Sequence, residues 1–254
     1  MKFWKKDKKI GLALGGGAVL GAVHIGVLKA LQEHAIEISY IAGTSIGSII
    51  SAFFAFGKDW QEIKEITDGI NWWDVSAISL SNSGLLSNKK MQDLLEEHIG
   101  EVKLEDAEIP VAMVAADITT GEKVVLKEGR VDKAVMASTC IPGAFVPVEV
   151  DDRLLVDGGI VESVPISPVK KMGADYIIAV DLTNIHSQKK PENILEVLLR
   201  SFDYTIKNAT QLQTEEADLH IKPDLSNYNR VDVEQRDDLF EMGYAEANKV
   251  LDNQ

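Results

Sequence analysis

The sequence predicts an α/β fold, with a mostly parallel central sheet flanked by helices. Three observations carry this expectation. Short apolar runs alternate with helix-periodic segments nearly to the end of the chain. Two of those runs pass through glycine-containing turns directly into helical patterns. With 254 residues, 45% of them hydrophobic, the chain is large enough to bury one full core. Residues 1–254 are therefore expected to form one domain, with residues 1–8 as a basic N-terminal tip.

The first element is a buried strand over residues 9–14. It enters the loop Gly15-Gly16-Gly17-Ala18, after which Leu20, Val23, His24, Val27, Leu28 and Leu31 fall at helical spacing on one mostly apolar face. Such a loop offers backbone N–H groups at a helix N-terminus, fit for a phosphate or an oxyanion. The dinucleotide fingerprint fails, because Leu20 stands where its third glycine belongs. The Walker pattern fails because no Gly-Lys-Ser/Thr follows.

The second run, residues 38–42, leads into Gly43-Thr44-Ser45-Ile46-Gly47 and then into apolar residues 49–54. Strand, tight turn and helix around Gly-x-Ser-x-Gly form a nucleophile elbow, in which Ser45 is held out before a helix N-terminus. With that serine nearby, the oxyanion role is the better fit for the glycine loop. A helix is expected over residues 46–56. Trp60, Ile63, Ile66, Ile70 and Trp73 mark another, its stripe read as a core face, with a lid over an acyl pocket as the alternative. Residues 76–88, rich in Ser, Asn and Gly, read as a loop, followed by a helix to about residue 98.

Residues 111–116 and 123–126 read as strands joined by a turn at Thr119-Thr120-Gly121. Residues 154–156 form a short strand ending at Asp157-Gly158-Gly159, and residues 176–182 another, buried one. Pro191 opens a long helix with Leu195, Leu198, Leu199, Phe202, Ile206 and Ala209 on one face. Residues 219–221 are a last strand and 235–251 a last helix.

The net charge of −14 argues against nucleic acid as a partner. Residues 1–9 nevertheless carry five lysines and one acid, for +4, so the remainder carries −18. With Phe3 and Trp4 beside it, this tip is read as a solvated terminus, with contact to an anionic membrane surface as the alternative. The apolar stretch from Ile10 to Leu28 mimics a signal peptide or an anchor, yet it holds six glycines and His24. A strand, loop and helix explain it better, so an unprocessed, soluble, cytoplasmic protein is expected. The single cysteine, Cys140, fits a reducing compartment. The five histidines are scattered, so no zinc site and no cofactor is expected.

A serine hydroxyl needs a base. Asp157, at a strand end before two glycines, fits that role directly. Alternatively, Ser45 and Asp157 with His186 or His220 follow the chain order Ser, Asp, His of α/β-hydrolases.

Residues 12–28, Gly43-Thr-Ser-Ile-Gly47 and Asp157-Gly-Gly159 resemble the three signature blocks of the patatin-like phospholipase family. Ala137-Ser138, Ile141-Pro142-Gly143-x-Phe145-x-Pro147 and Gly173-Ala174-Asp175 resemble it too, so the likeness spans roughly residues 9–182. The resemblance implies a Ser–Asp dyad, with Ser45 as nucleophile and Asp157 as base. It implies an oxyanion hole in the loop of Gly15, Gly16, Gly17 and Ala18, and metal-free hydrolysis of a lipid or lysolipid acyl ester. Many members carry Arg where this chain has Leu20, and glycine where it has Ala18. A guanidinium at that place would engage a phosphate, so Leu20 predicts little discrimination between phospholipids and neutral esters. From another class, a catalytically weak lipid-binding or regulatory protein on the same fold is the alternative.

Overall fold

The computed structural model describes residues 8–69, 89–184, 190, 194–229 and 232–254. Five expected features fall outside them: the tip at residues 1–7, Ile70, Trp73, the loop at 76–88 and Pro191. His186 lies outside them as well.

The described strands are β1 (Ile10–Leu14), β2 (Ile38–Thr44), β3 (Val111–Asp117), β4 (Lys123–Leu126), β5 (Val148–Val150), β6 (Arg153–Asp157), β7 (Tyr176–Val180) and β8 (Leu219–Ile221). They form one sheet in the order β5-β6-β3-β2-β1-β7-β8, with β4 on β3. From β3 through β8 the neighbours on this path run parallel. The pairs β3–β4, β3–β6 and β5–β6 are antiparallel. The expected α/β architecture, with its mostly parallel sheet, is what the chain adopts.

The described helices are α1 (Ala22–Glu33), α2 (Ile46–Ala55), α3 (Trp60–Asp68), α4 (Lys89–Ile99), α5 (Val131–Ser138), α6 (Ile166–Met172), α7 (Ile194–Gln213) and α8 (Arg236–Asp252). A 3-10 turn at Ala18–Gly21 precedes α1. The central strands β1, β3 and β7 are buried along their whole length, as a parallel sheet covered on both faces requires. Leu12, Leu14, Ile41, Met113 and Ile178 join the buried faces of α1 and α2 in one large apolar cluster.

Local chemistry sets the helix ends. Asp59 accepts from the Glu62 N–H at 2.9 Å, and the Asp59 N–H donates to Glu62 at 3.0 Å, so a capping box starts α3. Such a cap contributes about 1 kcal/mol. Trp60 stacks on Phe240 of α8, with ring centroids 5.6 Å apart, so this end of the α3 stripe is core rather than lid. In α6, Pro168 falls in the first turn, where its missing N–H costs nothing. Gly173, at φ 105°, ends that helix in the left-handed region. Among the described residues no helix is long and apolar enough to cross a membrane.

Candidate active site

The site lies at the C-terminal ends of β1 and β2, where parallel sheets present their loops. β2 ends at Thr44 and α2 begins at Ile46, so Ser45 alone makes the turn. Its φ of 54° and ψ of −124° lie outside helix and strand, in the left-handed half where a residue with a Cβ is strained. Gly47 makes this turn fit: a Cβ there would overlap the carbonyl of Leu14 on the neighbouring strand. The Ser45 carbonyl accepts from the Ser48 N–H at 2.8 Å and from the Ser48 hydroxyl at 2.6 Å. The Ser45 N–H donates to Ser138 Oγ at 2.9 Å.

Asp157 arrives from β6, which lies beyond β3 in the sheet, and pairs with Ala115. The chain then passes close against the middle of β3 at Gly158, where a Cβ would overlap the Val114 carbonyl. That close approach brings Asp157 to the cleft that Ser45 lines. Asp157 is 8% exposed, and its carboxylate accepts from the Gly159 N–H at 2.7 Å. Its own N–H donates to the Cys140 carbonyl at 2.8 Å. Burial first, and the Asp157 charge second, push the Cys140 thiol up to about 12.

The glycine loop runs beside Ser45, where a Cβ on Gly16 would meet the Ser45 Cβ at 3.3 Å. Gly16, Gly17 and Ala18 line the cleft and Gly15 does not. The Gly15 N–H donates to Val180 at 3.1 Å and the Gly16 N–H to Ser163 at 3.0 Å. Among the described residues no acceptor is found for the N–H of Gly17 or Ala18. Ala18 holds φ 53°, a left-handed conformation. His24, fully buried in α1, fixes the loop from behind through Nε2 on the Gly15 carbonyl at 2.8 Å. Burial pushes its pKa down to about 4, against the weaker opposing effect of that hydrogen bond.

One segment ties these pieces together. Glu162 lends its carbonyl to Thr44 Oγ1 at 2.9 Å, next to the elbow, and Ser163 lends its own to Gly16. The Glu162 carboxylate, 4% exposed, accepts from Lys123 at 2.7 Å and from the Ser167 hydroxyl at 2.9 Å.

The remaining walls are largely apolar. Ile141 and Pro142 come from the loop after α5, Ile160 from the turn after Asp157, and Ile206 from α7. Asp203 of α7 adds a second carboxylate to the cleft. The sequence marked Ile206 only as part of a helix face and Ser138 only as part of a block resembling the family, without a role, and gave no signal for Asp203. Leu20, offered as the head-group position, is fully buried in the core and does not line the cleft. His220 sits 3.6 Å from Asp181, a buried carboxylate that Lys222 also approaches at 2.9 Å, and it does not line the cleft either.

A family profile described as patatin-like phospholipase matches residues 12–170. An uncharacterized NTE family protein of Mycobacterium tuberculosis is 37% identical over 177 residues, covering 68% of this chain and 49% of that protein. The neuropathy target esterase sws of Drosophila melanogaster is 30% identical over 187 residues, which is 70% of this chain and 13% of its own. A lysophospholipase NTE1 of Meyerozyma guilliermondii is 24% identical over 96% of this chain and 19% of its own. The chain thus spans about half the length of the mycobacterial relative and far less of the other two. Among solved structures, VipD from Legionella pneumophila superposes with a TM-score of 0.67 at 14% identity, covering 97% of this chain and 67% of VipD. The type III effector ExoU superposes at 0.55 with 13% identity, covering 97% of this chain and 53% of ExoU, and both likenesses concern the fold alone. By its matched profile and its relatives, the chain belongs to the patatin-like phospholipase family.

Proposed function

We propose that this chain is a serine acyl hydrolase with a Ser45–Asp157 dyad, acting on lipid or lysolipid acyl esters. One observation carries the reading: a serine in a strained strand-to-helix turn lines the same cleft as a buried carboxylate, beside a loop in which, among the described residues, the Gly17 and Ala18 amides have no acceptor. In this mechanism Ser45 Oγ bonds to the ester carbonyl carbon while its proton passes to the Asp157 carboxylate. The oxyanion falls to the N–H groups of Gly17 and Ala18, since those of Gly15 and Gly16 already donate to backbone carbonyls. Collapse of the intermediate breaks the ester C–O bond, and Asp157 returns the proton to the leaving alcohol. A water then gives its proton to Asp157 and attacks the acyl-serine, releasing the acid and restoring both residues.

The substrate class rests on the walls and on the relatives. Ile141, Pro142, Ile160 and Ile206 give an acyl chain an apolar bed. The names lysophospholipase and esterase of two relatives favour the same class. Asp157 is preferred to a triad with His220 because that histidine does not line the cleft and lies instead 3.6 Å from Asp181. Transient contact with a lipid surface is part of the proposal, as the source of the substrate.

The test is hydrolysis of a short p-nitrophenyl ester by the chain and by Ser45→Ala. The variant should remain folded and lose all turnover above background. Turnover that survives, with unchanged circular dichroism, points to another nucleophile. A parent chain that turns over no ester supports the lipid-binding alternative.

A further inference from the structure

The last residue of α5 and the turn after it bond to the main chain of both dyad members. Ser138 closes α5 and is fully buried. Its Oγ accepts the Ser45 N–H at 2.9 Å and donates its own hydrogen to the Val114 carbonyl at 2.7 Å. Two residues on, the Cys140 carbonyl accepts the Asp157 N–H at 2.8 Å. Ser45 needs such a partner. The β2–β3 pairing ends at Thr44 opposite Val114, and a residue at φ 54° has left the ladder. As the residue before α2, it also has no helical carbonyl for its N–H. The Ser138 hydroxyl bridges this orphan amide to β3.

We infer that Ser138 is a positioning residue: it holds the nucleophile in its strained turn, and with Cys140 it sets the spacing between Ser45 and Asp157. The inference rests on the dyad reading and deepens it. Without the hydroxyl the Ser45 amide loses its acceptor in a part-buried turn, and the elbow relaxes away from Asp157. A displacement of about 1 Å at a reacting group costs on the order of 10²-fold in rate. Binding of the acyl chain to the apolar walls does not depend on this bond, so the loss falls on kcat rather than on KM.

The experiment measures kcat and KM on a p-nitrophenyl ester, the rate of Ser45 labelling by a fluorophosphonate, and a thermal melt. Ser138→Ala should lower kcat and the labelling rate by about 10- to 100-fold, with KM within about twofold. Ser138→Cys keeps the size and weakens the acceptor, and should lose several-fold in both rates. It decides the matter if the alanine variant fails to fold. Thr139→Val is the control. It removes a hydroxyl from the same turn that donates only to helix carbonyls, Val135 at 2.9 Å and Met136 at 3.4 Å. It should keep kcat within about twofold even if its melt falls. Folded Ser138 variants with parental rates overturn the inference, as does a Thr139→Val loss equal to that of Ser138→Ala. A parent chain that takes no label at Ser45 overturns the dyad reading itself, which separates the two failures.

Discussion

Acidification to about pH 5 should cost the folded chain about 2 kcal/mol through His24 alone. His24 is fully buried, its Nε2 is engaged by the Gly15 carbonyl, and among the described residues its Nδ1 has no hydrogen-bond partner. The folded chain therefore holds the ring neutral down to about 4, while the unfolded chain takes up a proton near 6.5. Between these values the unfolded state binds more protons, so stability rises with pH and falls on acidification. The effect is absent above about pH 7, reaches about 2 kcal/mol at pH 5 and about 3 kcal/mol below pH 4. The assay is urea unfolding across this range, for the parent chain and for His24→Gln, which can donate to Gly15 but does not titrate. The variant will be less stable at neutral pH, through lost packing. The difference between the two proteins should shrink by about 2 kcal/mol from neutral pH to pH 5, because other titrating groups cancel. Parallel curves would refute the neutral, buried assignment.

Asp157→Asn should lower kcat by about 10²–10⁴-fold, the usual contribution of a general base, whereas His220→Ala and His186→Ala should keep their activity. A loss of that size in either histidine variant, read in the same ester assay, would favour a triad. Leu20→Arg places an unpaired charge in the core and should destabilise the fold by several kcal/mol in a thermal melt, leaving the phospholipid-to-neutral-ester rate ratio unchanged. A stable variant with a raised phospholipid preference would return Leu20 to the head-group site.

Much of the fold was legible because its signals are local. The buried strand Ile10–Leu14, the glycines after it and the helical face from Val23 to Leu31 are contiguous and strongly periodic. The Gly-x-Ser-x-Gly turn was legible for a steric reason, since only glycine fits at residue 47 against Leu14. What was missed is short. α5 has eight residues and no side-chain cap, although its buried Val131, Ala134, Val135 and Ser138 do follow helical spacing. β5 has three residues, and α6 has seven with a proline among them. The cleft was only partly legible. Asp203 reaches it from α7 and Ile141 from the loop after α5, through contacts between segments far apart in sequence. Leu20 carried two signals. Its helical spacing put it on the apolar face, and there the 3-10 turn at Ala18–Gly21 buries it, whereas the family's Arg at that place had suggested a head-group contact.

The central claim is that Ser45 is the nucleophile, and the most direct measurement is the site of covalent attack. After incubation with a fluorophosphonate, peptide mass mapping should find one adduct, on Ser45, and none in the Ser45→Ala protein. An adduct on another residue, or an unlabelled Ser45 in a preparation that hydrolyses esters, would contradict the account.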